Sequence, residues 1–203
     1  MRIPESYESG FSALGDQGVL QEIRPDHLSK LIITTVANLA AVNLMVLSCC
    51  DGHQFMHVTH HTQFCCTEAK RLLGVEGVAD DCFHWRSENG GPFVLSVPEI
   101  KTRRYRGEVD NVERSVLASI DEGMNLKKLN VVLLIGHCRC GKVADIFREP
   151  GEYCDYMARA KERVMMEFGL PSNQVIAWLQ VHHEAGRTIQ HLDYHNLASR
   201  LAA

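Results

Sequence analysis

Two short stretches, far apart in the chain, carry residues able to do metal chemistry. Val46-Leu47-Ser48-Cys49-Cys50-Asp51-Gly52-His53 is an apolar run that ends in thiols, a carboxylate and an imidazole. Leu133-Leu134-Ile135-Gly136-His137-Cys138-Arg139-Cys140-Gly141-Lys142 is another, ending in His-x-x-Cys. Cys49, His137 and Cys140 have the donor set for zinc: two thiolates and one imidazole, with a fourth position left for water or one more side chain. Two anionic sulfurs hold a metal firmly and lower its residual charge, so a bound water is less acidic than in an all-histidine site unless neighbours help. Asp51, two residues after Cys49, is placed to be such a neighbour. It could accept a hydrogen bond from zinc-bound hydroxide and orient it, or coordinate the metal and close the site.

Such stretches need strands that end at one edge of a sheet. Asn43 to Cys49 and Asn130 to Ile135 are short and apolar and read as buried strands. Gln174 to His182, rich in Val, Ile and Trp, is a third, and after a turn at Glu184-Ala185-Gly186, Thr188 to Tyr194 could return as an edge strand. Between them lie helical patterns. Leu28, Leu31, Ile32, Val36 and Leu39 recur at helical spacing after Pro25-Asp26, and Thr67 to Leu73 closes at Gly74. Asp110 to Glu122 carries Val112, Val116, Leu117 and Ile120 on one face with Gly123 as its cap, and Gly151 to Phe168 is ended by Gly169. Val75 to Phe83 offers a short strand and loop, and Trp85 to Pro92 reads as a turn because Asn-Gly-Gly-Pro supplies positive φ. Alternating strands and helices predict an α/β fold with a mainly parallel central β-sheet flanked by helices. With no repeat, low-complexity tract or linker, residues 1–203 read as one domain, with residues 1–24 as an irregular arm holding at most a short helix.

Bulk properties narrow the function classes. The chain has 203 residues, a net charge of −4 and no basic footprint, so a nucleic-acid partner is not expected. Its 11 histidines make the charge less negative below about pH 6.5. Eight cysteines invite a disulfide reading, but Met1 to Ser6 lacks the apolar core of a secretory signal. Clustered cysteines with histidines then read as metal ligands or buried thiols. Asn43 interrupts the longest apolar run, which is too short to span a bilayer. A soluble, cytoplasmic protein is the expectation.

The two ligand motifs in this order resemble those of the β-class carbonic anhydrases. That family carries Cys-x-Asp-x-Arg at the end of one strand and His-x-x-Cys-Gly at the end of a later one. Here these stand as Cys49-Cys50-Asp51-Gly52-His53 and His137-Cys138-Arg139-Cys140-Gly141, with Arg86-Ser87-Glu88-Asn89-Gly90-Gly91 as a looser version of the family's Arg-Asn-Ala-Gly-Gly turn. The resemblance spans roughly residues 40 to 195. It implies Zn2+ on Cys49, His137 and Cys140, hydration of carbon dioxide to bicarbonate by zinc-bound hydroxide, Asp51 orienting that hydroxide, and a homodimer or higher homo-oligomer. Some family members instead hydrolyse carbonyl sulfide or carbon disulfide. One position departs from the pattern. The family's arginine, which pairs with the aspartate and keeps it off the metal, is His53 here. Asp51 then either pairs with His53 as imidazolium, a gate sensitive to pH near neutrality, or swings in as a fourth ligand. The second outcome describes a zinc-binding homologue with a structural or regulatory role and no turnover.

Other features weigh less. Gly136 to Lys142 satisfies Gly-x4-Gly-Lys, but Val143 stands where a P-loop has the magnesium-binding hydroxyl. His57, His60 and His61 lack the acidic residue of His-Glu-x-x-His and suit a polar helix face or a proton relay. Cys65, Cys66, Cys82 and Cys154 read as structural thiols, Cys50 and Cys138 as turned away from the ligands, His182-His183 as an edge pair, and Arg103 to Arg106 as a basic surface loop or dimer contact.

Overall fold

The computed structural model describes residues 3–23, 44–50 and 83–201. The helices expected over 25–40 and 67–73, the histidine-rich segment, and both Asp51 and His53 lie outside the described residues.

A six-stranded mixed sheet organises the chain, in the order β1-β8-β7-β6-β2-β3. Here β1 is Leu20–Glu22, β2 Leu44–Cys49, β3 Phe83–Glu88, β6 Val131–Cys138, β7 Val175–His182 and β8 Arg187–Leu192. The pairs β3–β2, β2–β6 and β6–β7 are parallel, while β8 and β1 add antiparallel. The helices are α1 Glu5–Asp16, α2 Val112–Lys127, α3 Pro150–Phe168 and α4 Tyr194–Leu201, and a small hairpin pairs β4 Thr102–Tyr105 with β5 Glu108–Asn111. The α/β class read from the sequence is thus observed.

Strand alternation sorts the apolar runs into two faces. Met45, Leu47, Val132, Leu134, Ala177, Leu179 and Val181 join one core with Phe93, Val116, Ile120, Phe147, Tyr153, Met157 and Val164, which lie on α2, α3 and the segments around them. Leu44, Val46, Leu133, Ile135 and Trp178 point the other way and are buried as completely. A central strand buried on both faces has no polar alternation, which is why β2 and β6 appear in the sequence as unbroken apolar runs.

Several boundaries depart from the sequence reading. Residues 1–24 are not an irregular arm: α1 buries Phe11 and Leu14, and β1 pairs with β8, so β8 is an inner strand and not the edge. Trp85 to Glu88 are strand, and the turn begins only at Asn89, with φ of 98° at Gly90 and 53° at Gly91. Helix α2 starts at Val112 because Asn111 caps it, accepting a hydrogen bond from the Arg114 N–H at 2.9 Å. It runs past Gly123 to a left-handed cap at Lys128. Gly123 is therefore interior, and a Cβ there would lie 3.1 Å from both Leu129 Cδ1 and Met45 Sδ. Close helix–sheet contact, not capping, explains this glycine. The Arg103 to Arg106 stretch is a hairpin with Arg106 and Gly107 at its turn. The Asp110–Glu122 and Asn130–Ile135 spans thus each missed at their ends, and the strand expected over Thr188 to Tyr194 is Arg187–Leu192, with a helix, Tyr194–Leu201, starting at the expected strand's last residue.

Candidate metal centre

Sheet order fixes where the site lies. From β2 the chain next adds β3 on one side, whereas from β6 it adds β7 on the other. The carboxyl ends of β2 and β6 therefore flank a topological switch point, where an open α/β sheet leaves a crevice. Cys49 is the last residue of β2, and His137 lies one residue before the end of β6. The strand runs on through Gly136, His137 and Cys138, three residues beyond the expected end at Ile135. No helix begins at Lys142; six turn residues follow Cys140, and α3 starts only at Pro150, so the Gly-x4-Gly-Lys match lacks the helix N-terminus that a P-loop requires.

Cys49, His137 and Cys140 come together, with ligand atoms within 4.8 Å of one another and all three side chains buried. The two sulfurs are 3.9 Å apart. Tetrahedral zinc with Zn–S bonds of about 2.3 Å needs two sulfurs about 3.8 Å apart. A thiol donating to a thiolate has the same spacing, so sulfur distance alone does not select a metal. The histidine adds to it. Neither ring nitrogen of His137 meets a hydrogen-bond partner of full geometry among the described residues, the Cys49 sulfur being the neighbour beside the ring. A buried imidazole so placed would be satisfied by a cation. The donor set fits zinc.

Electrostatics agree. The neighbouring Cys140 thiol, helped by His137 and the Gly90 N–H, lowers Cys49 against the opposing effect of burial. Cys140 moves the other way, raised by the Cys49 sulfur and by burial. The two sulfurs thus favour opposite protonation states, and a divalent cation would favour the thiolate of both. Backbone N–H groups of Lys142 and Val143 point at the Cys140 sulfur and favour its thiolate. Cys138, one residue after the histidine, faces the core beside the Tyr153 hydroxyl, and burial lifts it to about 12. It is a buried thiol and not a ligand. Cys154 is likewise buried, and Cys50 is exposed.

The loop after β3 closes the far side of Cys49. Gly91 packs so tightly that a Cβ there would lie 2.7 Å from the Cys49 nitrogen. The sequence signal for this contact was the Asn-Gly-Gly-Pro run, whose glycines read only as turn-formers. Glu88, which precedes the turn, went unnoticed: its side chain is buried in register with Cys49 and bonded to Arg86 and Arg103. Arg103 is thus engaged with Glu88 and Asp110. His183, read as one of an edge pair, bridges Glu8 of α1 and Thr188 of β8 at 2.7 and 2.9 Å.

The chain is an α/β protein with a buried Cys-His-Cys cluster, able to hold a metal ion, at the switch point of its sheet. Compared with protein-family models and with curated proteins, it matches none. Among the described residues no helix is long and apolar enough to cross a membrane.

Proposed function

We propose that this protein is a zinc-dependent lyase of the β-carbonic anhydrase type that hydrates carbon dioxide to bicarbonate. The observation that carries this reading is the convergence of Cys49, His137 and Cys140, with His137 unmatched at both ring nitrogens, at the switch point. These three residues would hold the ion. Zinc at such a site supplies Lewis acidity, which makes water a nucleophile near neutral pH. In this proposal Asp51, two residues beyond Cys49, accepts a hydrogen bond from the attacking water and fixes its lone pair toward the carbon of the substrate. His53 as imidazolium holds the Asp51 carboxylate in that role and ties activity to pH near neutrality. Carbonyl sulfide and carbon disulfide, small uncharged linear molecules like carbon dioxide, are substrates of the same class. A homodimer or larger homo-oligomer in the cytoplasm completes the reading.

The residue at position 53 favours one rival. With histidine in place of an arginine fork, Asp51 can reach the metal itself, and the protein is then a zinc-binding structural or regulatory component. A stopped-flow hydration assay across pH, on protein of measured zinc content, separates the two. Turnover that rises with pH supports the lyase, whereas full zinc occupancy without turnover at any pH rejects it. His53→Arg should restore or raise activity if a free Asp51 blocks the metal, and continued inactivity in that variant counts against gating.

A further inference from the structure

We infer that Glu88 is a positioning residue for the metal centre: its buried carboxylate holds the Asn89-Gly90-Gly91 turn against the Cys49 backbone and so fixes where the Cys49 sulfur is presented. The inference rests on the metal-centre reading and deepens it. Glu88 lies at the end of β3 in register with Cys49, and its carbonyl accepts the Cys50 N–H at 3.1 Å. Its carboxylate is 6% exposed as a residue, a burial that is costly for an anion without partners. Three donors meet it. Arg86 Nη2 donates to Oε2 at 2.9 Å, and the Asn89 N–H and Arg103 Nη1 donate to Oε1 at 3.0 and 3.4 Å. The Asn89 bond clamps the first residue of the turn. Beyond it, Gly90 turns the chain at φ 98°, and Gly91 lies so close to the Cys49 backbone that a Cβ would come within 2.7 Å of the Cys49 nitrogen. The carboxylate thus acts on Cys49 through the turn.

A ligand whose backbone is fixed by its surroundings presents its sulfur in one direction, so the turn tunes what Cys49 gives to a metal. Arg86 and Arg103 pair with the carboxylate and orient it. Arg103 belongs to the β4–β5 hairpin, so the hairpin is tied through Glu88 to the ligand strand.

The test uses the full chain, with zinc affinity measured by chelator competition and cobalt(II) as a spectroscopic probe. Glu88→Gln keeps an oxygen for the Asn89 N–H but loses the charge that holds the arginines; Glu88→Ala loses both. The expected result is zinc binding weaker by roughly 10–100-fold in Glu88→Ala, with a smaller loss in Glu88→Gln. The thiolate-to-cobalt charge-transfer band is displaced in the same order. Arg103→Gln, at a half-exposed position, loosens the grip on Glu88 without leaving a new buried charge, and it serves if a Glu88 variant fails to fold. It should shift the band in the same direction by less. Zinc affinity and cobalt spectra identical to wild type in every folded variant overturn the role of Glu88 alone. A wild-type protein that binds neither zinc nor cobalt overturns the metal centre and this inference together.

Discussion

Among the described residues, two buried clusters of titratable groups handle charge in opposite ways. At the switch point, Cys49, His137 and Cys140 bring together donors only, with no cationic side chain among them. Elsewhere, α3 buries Lys161 beside the Tyr194 ring, 5.0 Å from its centroid, close to His191 and Asp193. Burial pushes Lys161 down to about 8. His191 falls to about 4, through burial first and the nearby Lys161 second. The second cluster has two bases whose charge Asp193 offsets only in part, so both hold their protons less tightly. The first has electron pairs turned toward one another, so it could take up a cation. Burial is common to both; the identity of the groups decides the outcome.

The comparison breaks first at the sulfurs. Replacing Cys49 or Cys140 by Ser should abolish stable zinc binding, read as metal content after dialysis, and hydration should fall to the rate of buffer. Retained stoichiometric zinc in either variant removes the basis of the metal centre. Next comes Gly91→Ala, which forces a Cβ to 2.7 Å from the Cys49 nitrogen at a φ of 53°. It should cost about 2–4 kcal/mol in denaturant unfolding and reduce metal content as well.

The second cluster makes predictions of the opposite sign. Lys161 has a native pKa below its unfolded value of 10.5, so the native state resists the proton that the unfolded chain accepts. Native stability therefore rises between about pH 8 and 10.5, and the full penalty, about 3 kcal/mol for a shift of this size, stands at pH 7. Lys161→Met should be more stable than wild type at pH 7 and lack the rise above pH 8, as urea titrations at several pH values would show. Equal slopes in the two proteins would mean that the ammonium is not desolvated. Smallest is His191. Depressed from 6.5 to about 4, it lowers native stability as pH falls through that window. His191→Gln should flatten the acid limb by about 1–2 kcal/mol relative to wild type, a partly exposed ring being discounted for screening.

How much could be read beforehand differs between the clusters for physical reasons. Cysteine and histidine at strand ends are rare enough, and chemically specific enough, to stand out from one sequence, and all three proposed ligands converge. Lys161 sits in a helix whose charged residues mostly face water, so its residue type alone pointed to solvent; only the packing of Tyr194 over α3 buries it. Glu88 was hidden in the same way, as one acid in a turn. Gly123 was misread because a glycine near a helix end and a glycine against a sheet look alike in sequence. Only the Met45 contact tells them apart.

From the sequence alone came the α/β class, the apolar strands β2 and β6, and the identity of Cys49, His137 and Cys140 as a donor set. These follow from local pattern and from the intrinsic chemistry of side chains. Only the tertiary structure decided that β2 and β6 are neighbours at a switch point, that Gly91 and Glu88 close the back of Cys49, and that Lys161 is buried. Those depend on strand order and on contacts between residues tens of positions apart, which no local pattern encodes. The metal centre is legible as a list of ligands in the sequence; its geometry belongs to the sheet.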